Sequence, residues 1–140
     1  MSQMSDYLEG QIRAHIFRSA SFTKPSVIAI ALCTAAPNDA STGATITEVS
    51  GGSYARVTRN PSDSNWSAPD ATGGLTDNVA AITFPQASAN WGTITHVVVL
   101  DNATLGAGNV LFWGALSVSK VVNSGDTFSF DIGALDIVFA

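Results

Sequence analysis

SANWGTITHVVVLDNATLGAGNVLFWGALSV, Ser88–Val118, places two apolar runs on either side of a soft connection rich in Asn, Thr and Gly. Ile94–Asp101 and Asn109–Val118 are long and rich in branched and aromatic residues, the composition of strands. Gly106 and Gly108 stand between them. A glycine loop that cradles phosphate follows a strand and opens a helix. Here a second strand follows, so the stretch predicts a β-hairpin whose Trp91, His96 and Trp113 serve packing.

The rest of the chain repeats the pattern. Val27–Thr34 is an apolar run of buried-strand length, and Val79–Phe84 stops at Pro85. Tyr54–Arg59 alternates, with Tyr54, Arg56 and Thr58 on one side and Ala55, Val57 and Arg59 on the other. In TFSFDIG (127–133) Phe128, Phe130 and Ile132 are expected to share a face, and LDIVFA (135–140) ends the sequence. Turn residues separate these runs at 102–108, 123–126 and Gly133. Strands do not alternate with helices, which argues against a parallel α/β sheet and for an antiparallel β-sandwich.

One helix is expected, over 5–19. Ser5 or Asp6 can cap it, with Glu9 three residues after Asp6. Leu8, Ile12 and Ile16 are read as its apolar stripe, with Tyr7 and Phe17 beside it. Two long polar segments, 35–53 and 60–78, are rich in Gly, Pro, Ser and Asp. Loops of that length are usually functional or disordered, and partner contacts are expected there. The 140 residues are one domain's worth, read as a single β-sandwich domain over 1–140. A chain of this size buries roughly 70% of its unfolded surface, enough to fold without disulfides.

Charge is scarce. Only 12% of residues are charged, and six Lys and Arg stand against eleven Asp and Glu, for a net −5. A nucleic-acid binder needs a basic stripe, so no nucleic-acid partner is expected. No run of eighteen apolar residues and no secretory leader pattern occur, so no membrane partner is expected and assembly is placed in a cytoplasm.

The search for chemistry finds no motif. His15 and His96 lie on different elements with no metal-ligand spacing, and no G-x-S-x-G elbow occurs. Cys33, the only cysteine, sits in an apolar run where free cysteines are usually buried bystanders. No catalytic, cofactor-binding or metal-binding residue is expected, and the chain is read as not an enzyme. Three residues are candidates for a partner interface. Trp66 lies in the polar loop SDSNWSAPD, and tryptophan is favoured at interface hot spots. Arg56 and Arg59 can pair with a partner's acids, the alternative being a solvated strand face.

Several phrases carry a resemblance: MSDYLEGQIRAHIFR (4–18), TAAPND (34–39), GGSYAR (51–56), ITFPQASANWGTITH (82–96) and VNSGDTFSF (122–130). The chain resembles a family of short tailed-bacteriophage virion proteins. Some members are labelled tail-fibre proteins, and others look like the cementing, or decoration, proteins of phage heads. The resemblance implies a β-sandwich of jelly-roll type assembled in many copies, without catalysis. Residues 60–77 have no match in it. No heptad or collagen-like stretch is present to form a shaft. The leading expectation is therefore a capsid cementing protein on the head surface of the virion. Its expected partners are the major capsid protein and itself, as a homodimer or other homo-oligomer. The alternatives are a tail-fibre or tail-associated component and a carbohydrate-binding jelly-roll module.

Overall fold

The hairpin is the centre of the molecule. In the computed structural model, which describes residues 2–70 and 73–139, β6 (Gly92–Leu100) and β7 (Val110–Val122) pair antiparallel, with Val98 opposite Trp113 and Leu100 opposite Val110. Short polar side chains close the connection, as they do in tight turns. The Asp101 carboxylate accepts from the Asn109 backbone N–H (2.6 Å) and side-chain amide (2.8 Å), and Asn102 Oδ1 accepts from Thr104 N–H. Gly108 has φ +94°, and a Cβ there would lie 2.5 Å from Asn102 Cβ, so glycine is required.

β2 (Ala29–Cys33) pairs with the other edge of β6, with Ile30 opposite Val99 and Leu32 opposite Val97. Adding β1 (Gln3–Met4) and β3 (Val57–Thr58) gives one antiparallel sheet of order β1-β7-β6-β2-β3. All five β2 residues are fully buried, which explains its continuous apolar run. Ile30, Leu32, Val97 and Val99 join the main core, whereas Ala31, Cys33, Val98 and Leu100 form a second cluster with Val110, Ile46 and Trp113.

The main core is completed by two antiparallel ribbons. β4 (Leu75–Asp77) pairs with β9 (Asp136–Val138), and β5 (Ile82–Thr83) with β8 (Ser129–Phe130). Tyr54, Phe84, Trp91, Phe128 and Phe130 interlock there through edge-to-face and stacked contacts at centroid distances of 5.2–6.1 Å. The protein is mainly β, with one short helix and antiparallel sheets.

Segment 35–53, expected to meet partners, folds back onto its own sheet. Val49 N–H donates to Leu32 O, Thr34 N–H to Thr47 O and Gly43 N–H to Gly108 O, and Ile46 lies on the second cluster. Segment 60–78 likewise contributes β4 and the Trp66–Asn78 bridge, and its residues 71 and 72 lie outside the described residues.

The helix α1 runs over Asp6–Phe17 and is capped by Ser5, whose Oγ accepts from Leu8 N–H (3.2 Å). Ser5 is fully buried and also donates to Val110 O, fixing the helix start to β7. The expected stripe breaks. Leu8 is buried and Ile12 half-buried, but Ile16 is 63% and Phe17 80% exposed. The reason is geometric. A spacing of four overshoots the 3.6-residue turn by about 40° per step, so Ile16 has rotated to the solvent side.

A second expectation also fails. Ile132 does not share a face with Phe128 and Phe130: it is 71% exposed, because the chain turns over 131–134 with Ala134 N–H donating to Asp131 O. That turn is held by Asn78, which is fully buried. Its Oδ1 accepts from Leu135 N–H (2.9 Å), and its Nδ2 donates to Ala80 O (2.8 Å) and Asp131 O (2.9 Å). Asn78→Ala leaves these buried groups unpartnered and is expected to cost about 3 kcal/mol, measured by urea unfolding. Asn78→Asp, which keeps the shape but loses both donors, is expected to be destabilised as well.

Candidate functional site

Arg56 was expected on a surface that meets partners, and the structure corrects this. Arg56 is buried together with Tyr54, two residues before it, and is only 7% exposed, whereas Ala55 between them is exposed. The guanidinium is fully engaged inside the domain. Nε and Nη2 donate to the two Glu48 carboxylate oxygens at 2.8 and 2.7 Å, and Nη1 donates to Asn102 O and Ala107 O, both at 2.8 Å. Glu48 also accepts from the Tyr54 hydroxyl (2.9 Å), which in turn accepts from Leu32 N–H (2.9 Å). Burial and the Glu48 charge push the Tyr54 phenol well above its ordinary range. The same two causes push the Cys33 thiol up to about 12, so it stays protonated and unreactive.

Arg59 and Trp66 are brought together, apart from Arg56. The Trp66 indole N–H donates to Arg59 O (2.9 Å), and the half-buried ring packs against the core. Arg59 donates to Thr58 O (2.9 Å) and Ala81 O (2.6 Å). Around Trp66 lies a wide, open depression walled by Lys24, Pro61, Asp63, Pro69 and Val79. The Trp66 indole N–H is thus used within the domain, and Arg59 Nε is buried without a hydrogen-bond partner.

A better-formed concavity lies along β7. Between the pairs Ile94–Lys120 and His96–Ala115, one residue of β6 faces four of β7, so Leu116–Ser119 bulge from the sheet. On its other edge β7 pairs with β1 only at Phe112 and Trp113. Beyond Trp113, among the described residues, that edge carries no strand. A cleft of about 320 Å³ opens between this edge and residues 128–137. Its walls include Val97, Phe112, Leu116, Phe128, Phe130 and Leu135. Asp136 also lines the cleft, as does Lys120, whose ammonium lies over the Phe128 ring at 5.6 Å from its centroid. The strand pattern gave no sign of this cleft, which forms from a bulge and a C-terminal turn far apart in sequence. Among the described residues no three His, Cys, Asp or Glu side chains are grouped to hold a metal ion, and no helix is long and apolar enough to cross a membrane.

The family of phage proteins described as Podophage GP4 fiber I protein gp80 matches residues 3–138. The chain belongs to this family. No curated protein matches it. The resemblance in the sequence to phage virion proteins thus holds at the level of the family, and makes the chain a structural component of a bacteriophage particle. Residues 60–77, left unmatched by that resemblance, fall inside the span of the fiber I match.

Of the two histidines, His15 accepts from Phe22 N–H at Nδ1 (3.2 Å), closing the chain after α1. His96 lies 2.8 Å from Thr95 Oγ1, opposite Cys33 and Ala115, with the Trp113 ring 6.3 Å away. Burial holds its pKa below the ordinary imidazole range. The folded chain therefore binds fewer protons at His96 than the unfolded chain, so His96 lowers stability as pH falls through the ordinary imidazole range. Between about pH 7 and about pH 5, wild type is expected to lose more stability than His96→Gln in parallel urea titrations. For the buried pair, Arg56→Ala leaves the Glu48 charge with only the Tyr54 hydroxyl as partner, and is expected to cost about 3–5 kcal/mol in the same measurement.

Proposed function

We propose that the chain is a building element of a phage fibre that works by holding neighbouring proteins and catalyses no reaction. The observation that carries this is the fiber I match over 3–138. The surface supports it. Phe17, Val118 and Ile132 are 80%, 78% and 71% exposed, on three different elements, in a chain with few charges. Scattered single apolar residues are ordinary, but these flank a helix tip, a bulge and a turn, all projecting features that suit contact with other subunits. The buried Cys33 and the internal hydrogen bonds of His15 and His96 support a non-catalytic role. The central sheet covered by two ribbons supports a two-layer sandwich of jelly-roll type as the fold of this unit.

The second reading is a cementing protein on the head surface, with the major capsid protein as partner. It is favoured by the absence from the sequence of any heptad or collagen-like run that would build a shaft. Carbohydrate binding through Trp66 has less support, since its indole N–H is bonded inward. Purified particles separated into heads and tails, with the protein quantified in each, test the assignment. The expected result is low copy number in the fibre-bearing fraction. Retention on isolated heads at a copy number matching the capsid lattice would overturn it.

A further inference from the structure

We infer that residues 2–17 form an exchangeable arm, and that two copies of the chain each lay this β1–α1 segment on the other's β7. The exchange does not depend on where in the particle the chain sits. The arm's seat is specific. The Ser2 hydroxyl accepts from Val138 N–H (2.8 Å), Gln3 and Met4 pair with Trp113 and Phe112, and Ser5 N–H donates to Leu111 O (3.0 Å). Leu8 fills part of the main core. A body without an arm therefore lacks a strand and a core residue, and the segment that completes it is the arm of some copy of this chain.

Beyond Leu8 the hold loosens. No later residue of α1 is buried, and Arg13, His15, Ile16 and Phe17 are exposed. Residues 18–21, which lead back to the body, are exposed throughout and have no regular structure. Across this junction Phe22 N–H donates to His15 Nδ1 (3.2 Å), an exposed bond that a second copy's arm can make equally. Phe22 itself packs against the main core and marks where the body begins. Segments with few buried contacts open at low free energy, so residues 18–21 serve as a hinge. Exchange through it keeps every contact of the seat and changes only the path of the hinge.

A second observation favours the exchanged pair over the closed monomer. Ile16 and Phe17, 63% and 80% exposed, stand immediately before the hinge. In the pair, each Phe17 lies on the opposite body and is still joined by its chain to Phe22 of its own. Five extended residue steps span at most about 18 Å, so the two junctions are tethered that close about the two-fold axis. This brings Ile16 and Phe17 of both copies together, and apolar surface that the monomer leaves in water is covered. The two Arg18 side chains also approach, a repulsion that salt screens.

Sedimentation velocity and gel filtration of the full chain test this. Wild type is expected to dimerise as its concentration approaches about 1 mM, the effective concentration set by a short tether, and more readily at high salt. The separated dimer is expected to dissociate slowly on dilution, because each arm must leave its seat. Phe17→Ser is expected to weaken the dimer by roughly 30-fold, the loss of a hot-spot side chain, with the melting curve of the monomer unchanged. Gln3→Cys with Trp113→Cys, in a Cys33→Ala chain, reads the exchange directly, since the two positions are opposite one another in the β1–β7 register. Oxidation is expected to join two chains in the dimer fraction and to close within one chain in the monomer fraction. Ser2→Cys with Val138→Cys repeats the reading and leaves Trp113 in place. Wild type that stays monomeric, a dimer that dissociates at once on dilution, or an oxidised dimer whose disulfides all lie within single chains would overturn the exchange.

Discussion

The central strands β2 and β6 carry apolar side chains on both faces, and a strand of that kind must be covered twice. At about 25 cal/mol per Å² of apolar surface, leaving either face in water would forfeit much of the folding free energy of so small a domain. The two ribbons and their aromatic residues cover one face. Segment 35–53 covers the other, drawn across the sheet by backbone bonds from Thr34, Gly43 and Val49. A segment with the composition of a free loop is therefore held by what lies beneath it. Gly43 shows how closely it is applied: a Cβ at that position would lie 2.0 Å from Ala107 O.

Covering the second face brings a charged pair inside, and the pair in turn organises the loops. Arg56 spans three parts of the chain, binding Glu48 from the covering segment and two carbonyls from the hairpin connection. Its five N–H donors in a rigid fork suit this task, and lysine would not replace it. A hydrophobic pair of similar volume would avoid the desolvation cost but would leave the carbonyls of Asn102 and Ala107 without this donor. The arginine makes the covering segment and the hairpin loop one rigid rim, beside the Asp101–Asn109 turn.

Much of this was legible in the sequence where periodicity and composition are local. The Ile94–Val118 hairpin and the buried run of β2 follow from strand composition and run length, and the helix cap was narrowed to Ser5 or Asp6, of which the structure uses Ser5. The burial of Tyr54 and Arg56 was not legible. Alternation separates two faces but does not say which is inside, and the partner that makes Arg56 burial tolerable, Glu48, lies in a segment with no pattern. Ile132 was misplaced because alternation was extended through a turn that depends on Asn78, more than fifty residues earlier. The helix stripe was extended too far for a simpler reason, the mismatch between a spacing of four and a turn of 3.6. The β7 cleft has no local signature. It needs a four-against-one bulge and a C-terminal turn to meet.

What the sequence misplaced is also what the surface presents. Ile16, Phe17, Val118 and Ile132 each fall where a regular element ends, bulges or turns, so each escapes the periodic pattern that buries its neighbours. A sandwich whose core is complete without them has no structural need for apolar residues at those points. Polar substitutes there would cost the fold little and gain it solubility. Their presence in a low-charge chain of a phage fibre family fits the proposal that the core supplies the stability and the projections make the contacts. Under the proposed fibre reading, such a division lets modest contacts, repeated along an assembly, add to a strong whole.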